Sequence, residues 1–305
     1  MYRKTIRGLI AALATTLSLQ AAALPLSEYN LILIEDYNFS GGDVEGKSFI
    51  GGNLNAQGRA VDLAIKEPTL TLSDTVKVVG DINAVNLNVQ HGNVVYGGSA
   101  NVDNINFNGA GQAIHDTSLS IDTMAAELIE ASQNYASMAV NGIFSSVTSS
   151  LDYNENGSLA VFDVSAADIF AQNTSLRLNS NAAETVIINV SGTDISVAGG
   201  VNLVDGFRHD NIGASNILWN FYEATTIDFN NLAMFGSVLA PTANITGGAV
   251  FDGAVAANSY TGAREFHRFL FEPPVTDVPE PSTFLLLLSG LGLLATRRAV
   301  IRQQH

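Results

Sequence analysis

Between residues 26 and 271 apolar side chains fall mostly at alternate positions, in short runs broken by Gly, Asn, Asp and Ser. That spacing predicts short strands joined by turns. A loose repeat organises them: two apolar residues, one or two Gly, a polar residue, an apolar residue, then alternation. It reads Phe49-Ile50-Gly51-Gly52-Asn53-Leu54-Asn55, then Val78-Val79-Gly80-Asp81-Ile82-Asn83, then Val95-Tyr96-Gly97-Gly98-Ser99-Ala100-Asn101. It returns as Met234-Phe235-Gly236-Ser237-Val238 and Val250-Phe251-Asp252-Gly253-Ala254-Val255. Gly80 and Gly97 are 17 residues apart, as are Gly236 and Gly253. A glycine corner and short alternating strands at that period predict coils of a β-solenoid, with Val, Ile and Leu inside and Asn, Asp and Ser outside. A β-sandwich is the competing architecture. One segment departs from the pattern. From Ser120 to about Val140 the apolar positions Ile121, Met124, Leu128, Ile129, Tyr135 and Ala139 have helical spacing. Ser120 is the expected N-cap, Asp122 suits the positive end of the helix dipole, and Asn141-Gly142 suits termination. The expectation is a mainly β, solenoid-like domain with one packed helix over a face or an end.

Both ends of the chain read as transport signals. Arg3, Lys4 and Arg7 precede a short apolar stretch from Gly8 to Leu19, and Ala21-Ala22-Ala23 supplies small residues at the −3 and −1 positions. That is the layout of a secretory signal peptide over 1–23, cut after about Ala23. At the other end Val278-Pro279-Glu280-Pro281 leads into an apolar run from Phe284 to Ala295 and then Arg297-Arg298. The prolines enforce an extended, protease-accessible segment. The run is shorter than the span of about 20 residues that crosses a bilayer, so it suits a transient anchor whose arginines stay cytoplasmic. This tail, over 274–305, resembles the PEP-CTERM sorting signal of Gram-negative bacteria. The resemblance implies export through the Sec translocon, a passing stay in the inner membrane, recognition by an exosortase, and release to the cell surface or matrix.

Composition narrows the function classes. Apolar residues make up 47% and charged residues 14%, which argues against disorder. Between the two signals, over 24–273, there are eight basic and 27 acidic residues, a net charge of −19. Such a surface repels nucleic acid and anionic lipid. With no cysteine, disulfides, thiolate metal sites and cysteine nucleophiles are excluded.

Several segments in a fixed order resemble the choice-of-anchor A domain, over about 24–273. They include Tyr29-Asn30-Leu31-Ile32, Ile50-Gly51-Gly52-Asn53, Val95-Tyr96-Gly97-Gly98, Ile187-Ile188-Asn189-Val190, Leu218-Trp219-Asn220-Phe221 and Gly262-Ala263-Arg264-Glu265-Phe266-His267. The resemblance implies a surface protein of adhesin-like character and no established catalytic residues. The expected role is adhesive or structural in a biofilm, with exopolysaccharide or another surface protein as partner. A polysaccharide-binding or polysaccharide-active protein is the alternative.

Candidate chemistry is sparse. Asp152, Asn154, Asn156, Gly157 and Asp163 stand at positions 1, 3, 5, 6 and 12 of a calcium loop. Asp in place of Glu at the last position, and a strand-like sequence after Gly157, weaken that match, and a polar turn fits equally well. No other cofactor is expected. Glu265 and His267 share a face if they lie on a strand, with Glu223 as a distant third member; a partly buried, satisfied histidine is the plainer reading. His91, His115 and His209 show no ligand spacing. Trp219 is the only tryptophan, so no aromatic ladder for sugars is visible, and Thr69-Leu70-Thr71 does not recur as an ice-binding threonine rank would.

Overall fold

The computed structural model describes residues 24–68, 73–207 and 212–274. The expected signal peptide with Ala21 and Ala23, and the tail from 275 onward with Val278, Pro279, Glu280, Pro281, Arg297 and Arg298, lie outside the described residues, as do His209 and Thr69-Leu70-Thr71. Among the described residues no helix is long and apolar enough to cross a membrane.

The first half of the domain winds in coils of three strands. They are β1 (Leu31–Leu33), β2 (Tyr37–Gly41) and β3 (Asp43–Val44); β4 (Ser48–Ile50), β5 (Leu54–Asn55) and β6 (Val61–Leu63); β7 (Asp74–Val78), β8 (Ile82–Asn83) and β9 (Asn86–Val89); β10 (Asn93–Tyr96), β11 (Ala100–Asn101) and β12 (Asn104–Phe107). After β13 (Ala113–His115) comes helix α1 (Asp122–Ala136). The second half has longer, less regular coils: β14 (Ile143–Ser145), β15 (Ser150–Asp152), β16 (Leu159–Ser165), α2 (Ala166–Ile169), β17 (Ser175–Asn179), β18 (Thr185–Ser191), β19 (Asp194–Ser196) and β20 (Asn202–Leu203). It ends with β21 (Ile217–Asn220), β22 (Thr226–Asp228), β23 (Met234–Phe235), β24 (Ser237–Thr246), β25 (Val250–Asp252), β26 (Val255–Ala263) and β27 (Glu265–His267).

The coils stack by parallel pairing, but not in sequence order. One ladder runs β16-β18-β21-β24-β26-β1-β4-β7-β10-β13, and a second runs β19-β22-β24-β26-β2-β5-β8-β11. A third runs β23-β25-β27-β3-β6-β9-β12. The chain therefore starts in the middle of the stack. It winds outward to β13, returns through α1, restarts at the opposite end, and winds back until its last coil docks on its first. Asn30 fastens that junction. Its buried carboxamide donates to the carbonyls of Gly253 (3.2 Å) and His267 (3.0 Å) and accepts from the Gly46 N–H (2.9 Å).

The expected repeat holds only locally. Asn55 and Asn83 are neighbours in adjacent coils although 28 residues separate them, because the β6–β7 connection is long. Glycine is required where coils turn closely: a Cβ on Gly51 would lie 2.1 Å from the Ile34 carbonyl oxygen, and one on Gly253 would lie 2.3 Å from that of Gly236. Inside, the first half is aliphatic apart from Tyr37 and Phe39 of its first coil, whereas the second stacks rings, among them Phe251 on Phe266 at 5.0 Å and Phe207 on Trp219 at 5.4 Å.

Helix α1 covers the first ladder. Ile121, Leu128 and Tyr135 sit seven residues apart on one stripe and pack on the outward residues Ile32, Val161, Ile187, Leu218, Leu239 and Ala256. This explains why strands beneath the helix, such as Leu31–Leu33, Val186–Ile188 and Val238–Ala240, read as unbroken apolar runs: they are buried on both sides, while the other two ladders alternate. The helix is shorter than the sequence spacing predicts. It begins at Asp122, and Ser120 acts one position early: its Oγ accepts from the Asp122 N–H (3.1 Å) and donates to the Asp122 carboxylate (2.8 Å). It ends at Ala136, and Asn141-Gly142 does other work, holding the free edge of β16. The expectation of one helix is corrected by α2, a single turn N-capped by Ser165, whose Oγ accepts from the Asp168 N–H.

Two asparagines in the outward column of the first ladder lock α1 in register. Asn220 accepts from Ser132 Oγ (2.7 Å) and donates to the Ser132 carbonyl and to Asn189 Oδ1, both at 2.8 Å. Asn189 donates to the Tyr135 carbonyl (2.8 Å), one of the last in the helix. All of these groups are buried, so losing one partner strands the others. Asn220→Ala is expected to lower unfolding stability by about 3 kcal/mol in urea denaturation, against less than about 0.5 kcal/mol for the exposed Asn104→Ala.

Candidate functional site

Polar side chains converge at three places on this scaffold. The first is the junction where β27 pairs with β3. Strand alternation sends Glu265 and His267 to the same side, beside Asp43 and Glu45 of the first coil. His267 Nδ1 bonds Asp252 Oδ1 at 2.5 Å, and its Nε2 lies 3.4 Å from Glu265 Oε2 and 3.9 Å from Glu45 Oε1. Glu45 also pairs with Lys66 and accepts from the Arg268 N–H (3.0 Å), while the Arg268 guanidinium binds Glu67 at 2.8 Å. Partial burial alone would lower the basicity of His267, but the Asp252 hydrogen bond and the charges of Glu45 and Asp252 outweigh it and raise its pKa. Burial, then Glu265 and Glu45, push the Asp43 carboxyl up. The plainer sequence reading of His267, a satisfied and partly buried histidine, is what the geometry shows. Glu223 is not brought to it.

The second place is a shallow depression of about 550 Å³ between α2 and β19, lined in part by Ser165, Ser191, Gly192, Asp194, Ser196 and Glu223. Both carboxylates there already hold the fold: Glu223 accepts from the Gly192 N–H (2.7 Å), and Asp194 from the hydroxyls of Thr225 (3.3 Å) and Thr226 (2.9 Å).

The third is a set of amide ladders on the two uncovered sides. Asn55 donates to Asn38 (3.1 Å), Asn83 to Asn55 (2.9 Å) and Asn101 to Asn83 (2.8 Å). On the third ladder Asn88 donates to Asp62 and Asn106 to Asn88, both at 2.8 Å, and Asn108 to Gln90 at 2.9 Å. Sequence reasoning placed asparagine outside without seeing these rows. The signal was there: Asn83, Asn86 and Asn88 recur 18 residues later as Asn101, Asn104 and Asn106.

The calcium-like residues are spread along the connection between β15 and β16, which do not pair with each other. Asp152 ends β15 and accepts from Ser150 Oγ (2.7 Å) and from the Asn179 carboxamide. Asn154 and Asn156 are exposed in the turn, and Tyr153 between them and β15 points into the core. Asp163 lies within β16, its position paired with Asn189, about 13 Å along the strand from Leu159 at the usual rise per residue. Among the described residues no three His, Asp or Glu side chains are grouped to hold a metal ion. His91 and His115 lie in separate coils, the latter stacked on Tyr96 at 5.1 Å. Trp219 is wholly buried and donates to the Phe235 carbonyl (2.9 Å), so it offers no sugar platform.

Comparison with known proteins matches residues 22–268 to an ice-binding-like adhesive domain. The chain belongs to that family. The choice-of-anchor A domain, whose pattern the sequence resembles over nearly the same range, is a related adhesive-like domain. Residues 277–302 match the PEP-CTERM protein-sorting motif, which takes in Val278, Pro279, Glu280, Pro281, Arg297 and Arg298. An adhesive-type domain followed by that motif describes an exported surface protein, processed at the membrane, and the family points away from an enzyme. No curated protein matches the chain. Two solved structures are similar. An ice binding protein from an Antarctic biological consortium is 14% identical, with 84% of this chain and 93% of that one covered and a TM-score of 0.31. An ice binding protein from an Antarctic bacterium of the Flavobacteriaceae is 13% identical, with 81% and 82% covered and a TM-score of 0.25.

The junction cluster carries a pH signature. A histidine whose folded pKa is raised contributes stability fully below its unfolded value and loses it as pH rises through the folded value. The raised Asp43 carboxyl acts in the same direction in the acid range, because folding disfavours its charged form. The urea midpoint is expected to fall as pH rises from about 6 upward through the folded value of His267, and His267→Gln to flatten that slope.

Proposed function

We propose that this protein is a cell-surface or extracellular-matrix component, adhesive or structural in a biofilm, of a Gram-negative bacterium. The Sec translocon exports it, the segment Phe284 to Ala295 holds it briefly in the inner membrane, and an exosortase cuts its tail near Pro279. The observation that carries this reading is the order of parts on one chain: an adhesive-family domain over 22–268, then a sorting motif over 277–302. A domain whose coils stack by parallel pairing along its whole length is a rigid scaffold for display.

Exopolysaccharide is the partner we favour. Rows of carboxamides about 4.8 Å apart offer donors and acceptors at a fixed repeat to a hydroxyl-rich polymer. Ice is favoured less. The outward column of the second ladder passes from Ser196, Asp228, Thr246 and Thr261 to four asparagines, not to a rank of threonine.

Intact mass and fractionation in the native host, with and without the exosortase, test the sorting account. The expected product starts near Leu24, ends near Pro279 and is found outside the cell. Retention of Phe284 to Arg298 in the inner membrane of both strains would overturn it. For the ligand, Asn55→Ala with Asn83→Ala is expected to weaken retention on immobilised exopolysaccharide about tenfold, through two lost amide contacts.

A further inference from the structure

The two ends of the stack are built differently. At one end the edge strand β16 is closed by the chain itself. Asn141 Oδ1 accepts from the Val161 N–H (2.7 Å), Asn141 Nδ2 donates to the Leu159 carbonyl (3.0 Å), and the N–H groups of Asn141 and Gly142 donate to the Val161 carbonyl (3.1 and 2.9 Å). Gly142 presses on the Phe162 ring so closely that a Cβ would lie 2.2 Å from it. β14 then folds back antiparallel on β15, and the neighbouring edge strand β19 is three residues long with exposed Asp194 and Ser196 at its ends. A short, charged edge and a side-chain cap are devices that blunt strand pairing.

The other end lacks the side-chain cap and the row of charges, although β11 has only two residues and β13 three. Among the described residues β11, β12 and β13 each pair on one side only. From Gly97 to His115 there is no Lys, Arg or Pro, and Asp103 is the only acid, on a domain otherwise rich in acid. The core is open there: Ile105, Phe107 and Ile114 are half-buried, whereas Leu87, Val89 and Val94, one coil inward, are completely buried. The amide ladders also stop there. Asn101, Asn106 and Asn108 donate inward to Asn83, Asn88 and Gln90 and are themselves exposed.

We infer that this end coil is the interface with a second copy of the same chain, paired end to end through β11, β12 and β13. What fits the β12 edge is a second β12 with its carboxamides facing these, and a second copy of this end coil supplies that surface. Uncharged edges can approach where the acidic sides of two domains repel. Because the far end is closed, the contact is isologous and stops at two. A two-fold axis makes the facing strands antiparallel, with carboxamides of Asn104 and Asn106 pairing reciprocally across it.

Sedimentation of the full-length protein over a wide concentration range tests this. A dimer is expected for the wild type. Asn106→Lys and Ile105→Lys are each expected to weaken dimerisation about a hundredfold, while Val147→Lys at the closed end leaves it unchanged. Thermal unfolding of each variant separates loss of pairing from loss of fold; Asn106 is exposed, so its variant keeps the melting temperature of the monomer. Hydrogen exchange is expected to protect the backbone amides of 100–115 in the dimer alone. A wild-type monomer at every concentration, open-ended polymers, or equal weakening by Val147→Lys would each overturn the inference. So would a monomer that dimerises only after residues 275–305 are removed, which would show the tail to be the occupant.

Discussion

Everything in this domain depends on the docking of β26 between β24 and the first coil. Val255 to Ala257 pair with Val238 to Ala240 on one side and Leu31 to Leu33 on the other, and the same strand continues along β2. Without that contact the molecule would be two short solenoids, each with a raw edge at its centre. With it, a single parallel stack forms from segments more than 200 residues apart in the chain. The contact closes a very long loop, so its entropy must be met by many weak terms acting together: ladder hydrogen bonds, the buried Asn30 carboxamide and the ring stack of Phe251, Tyr260 and Phe266. Folding of such a topology is governed by non-local pairing.

The junction also explains where polar chemistry gathers. Docking brings Glu265, His267 and Asp252 of the last coil against Asp43 and Glu45 of the first, so carboxylates collect where two surfaces must meet. His267, Lys66 and Arg268 answer that charge. The arrangement is an ion-pair network that ties the seam, in a setting where breaking one partner leaves another partly buried charge without compensation. The helix meets a related requirement on the first ladder. It buries the apolar outward column, and Asn189 and Asn220 make its placement unique by pairing with backbone groups that only one register presents.

The ends of the described chain leave from the same neighbourhood. Leu26 and Phe271 are buried in the cluster beneath the helix, and the Phe271 N–H donates to the Leu26 carbonyl (3.0 Å). The first and last described segments are therefore part of one packed layer.

The sequence by itself determined the local units. Strand alternation, glycine corners, the helical stripe of Ile121, Leu128 and Tyr135 and the C-terminal sorting motif each follow from a few neighbouring residues, because dihedral preference and side-chain period are local properties. It also showed that Glu265 and His267 share a side, though not what faces them. Stacking order was decided by the tertiary structure alone. The coils present similar short alternating strands, so any coil edge can in principle pair with any other, and a repeat that holds only locally is silent on which does. That choice rests on non-local fits: Asn30 with Gly253, Phe266 against Val44, and α1 across strands from both halves. The calcium-like spacing shows the same limit from the other direction. A loop pattern read along the chain assumes a turn that closes on itself, and here the backbone leaves as strand β16 and carries Asp163 away from Asp152.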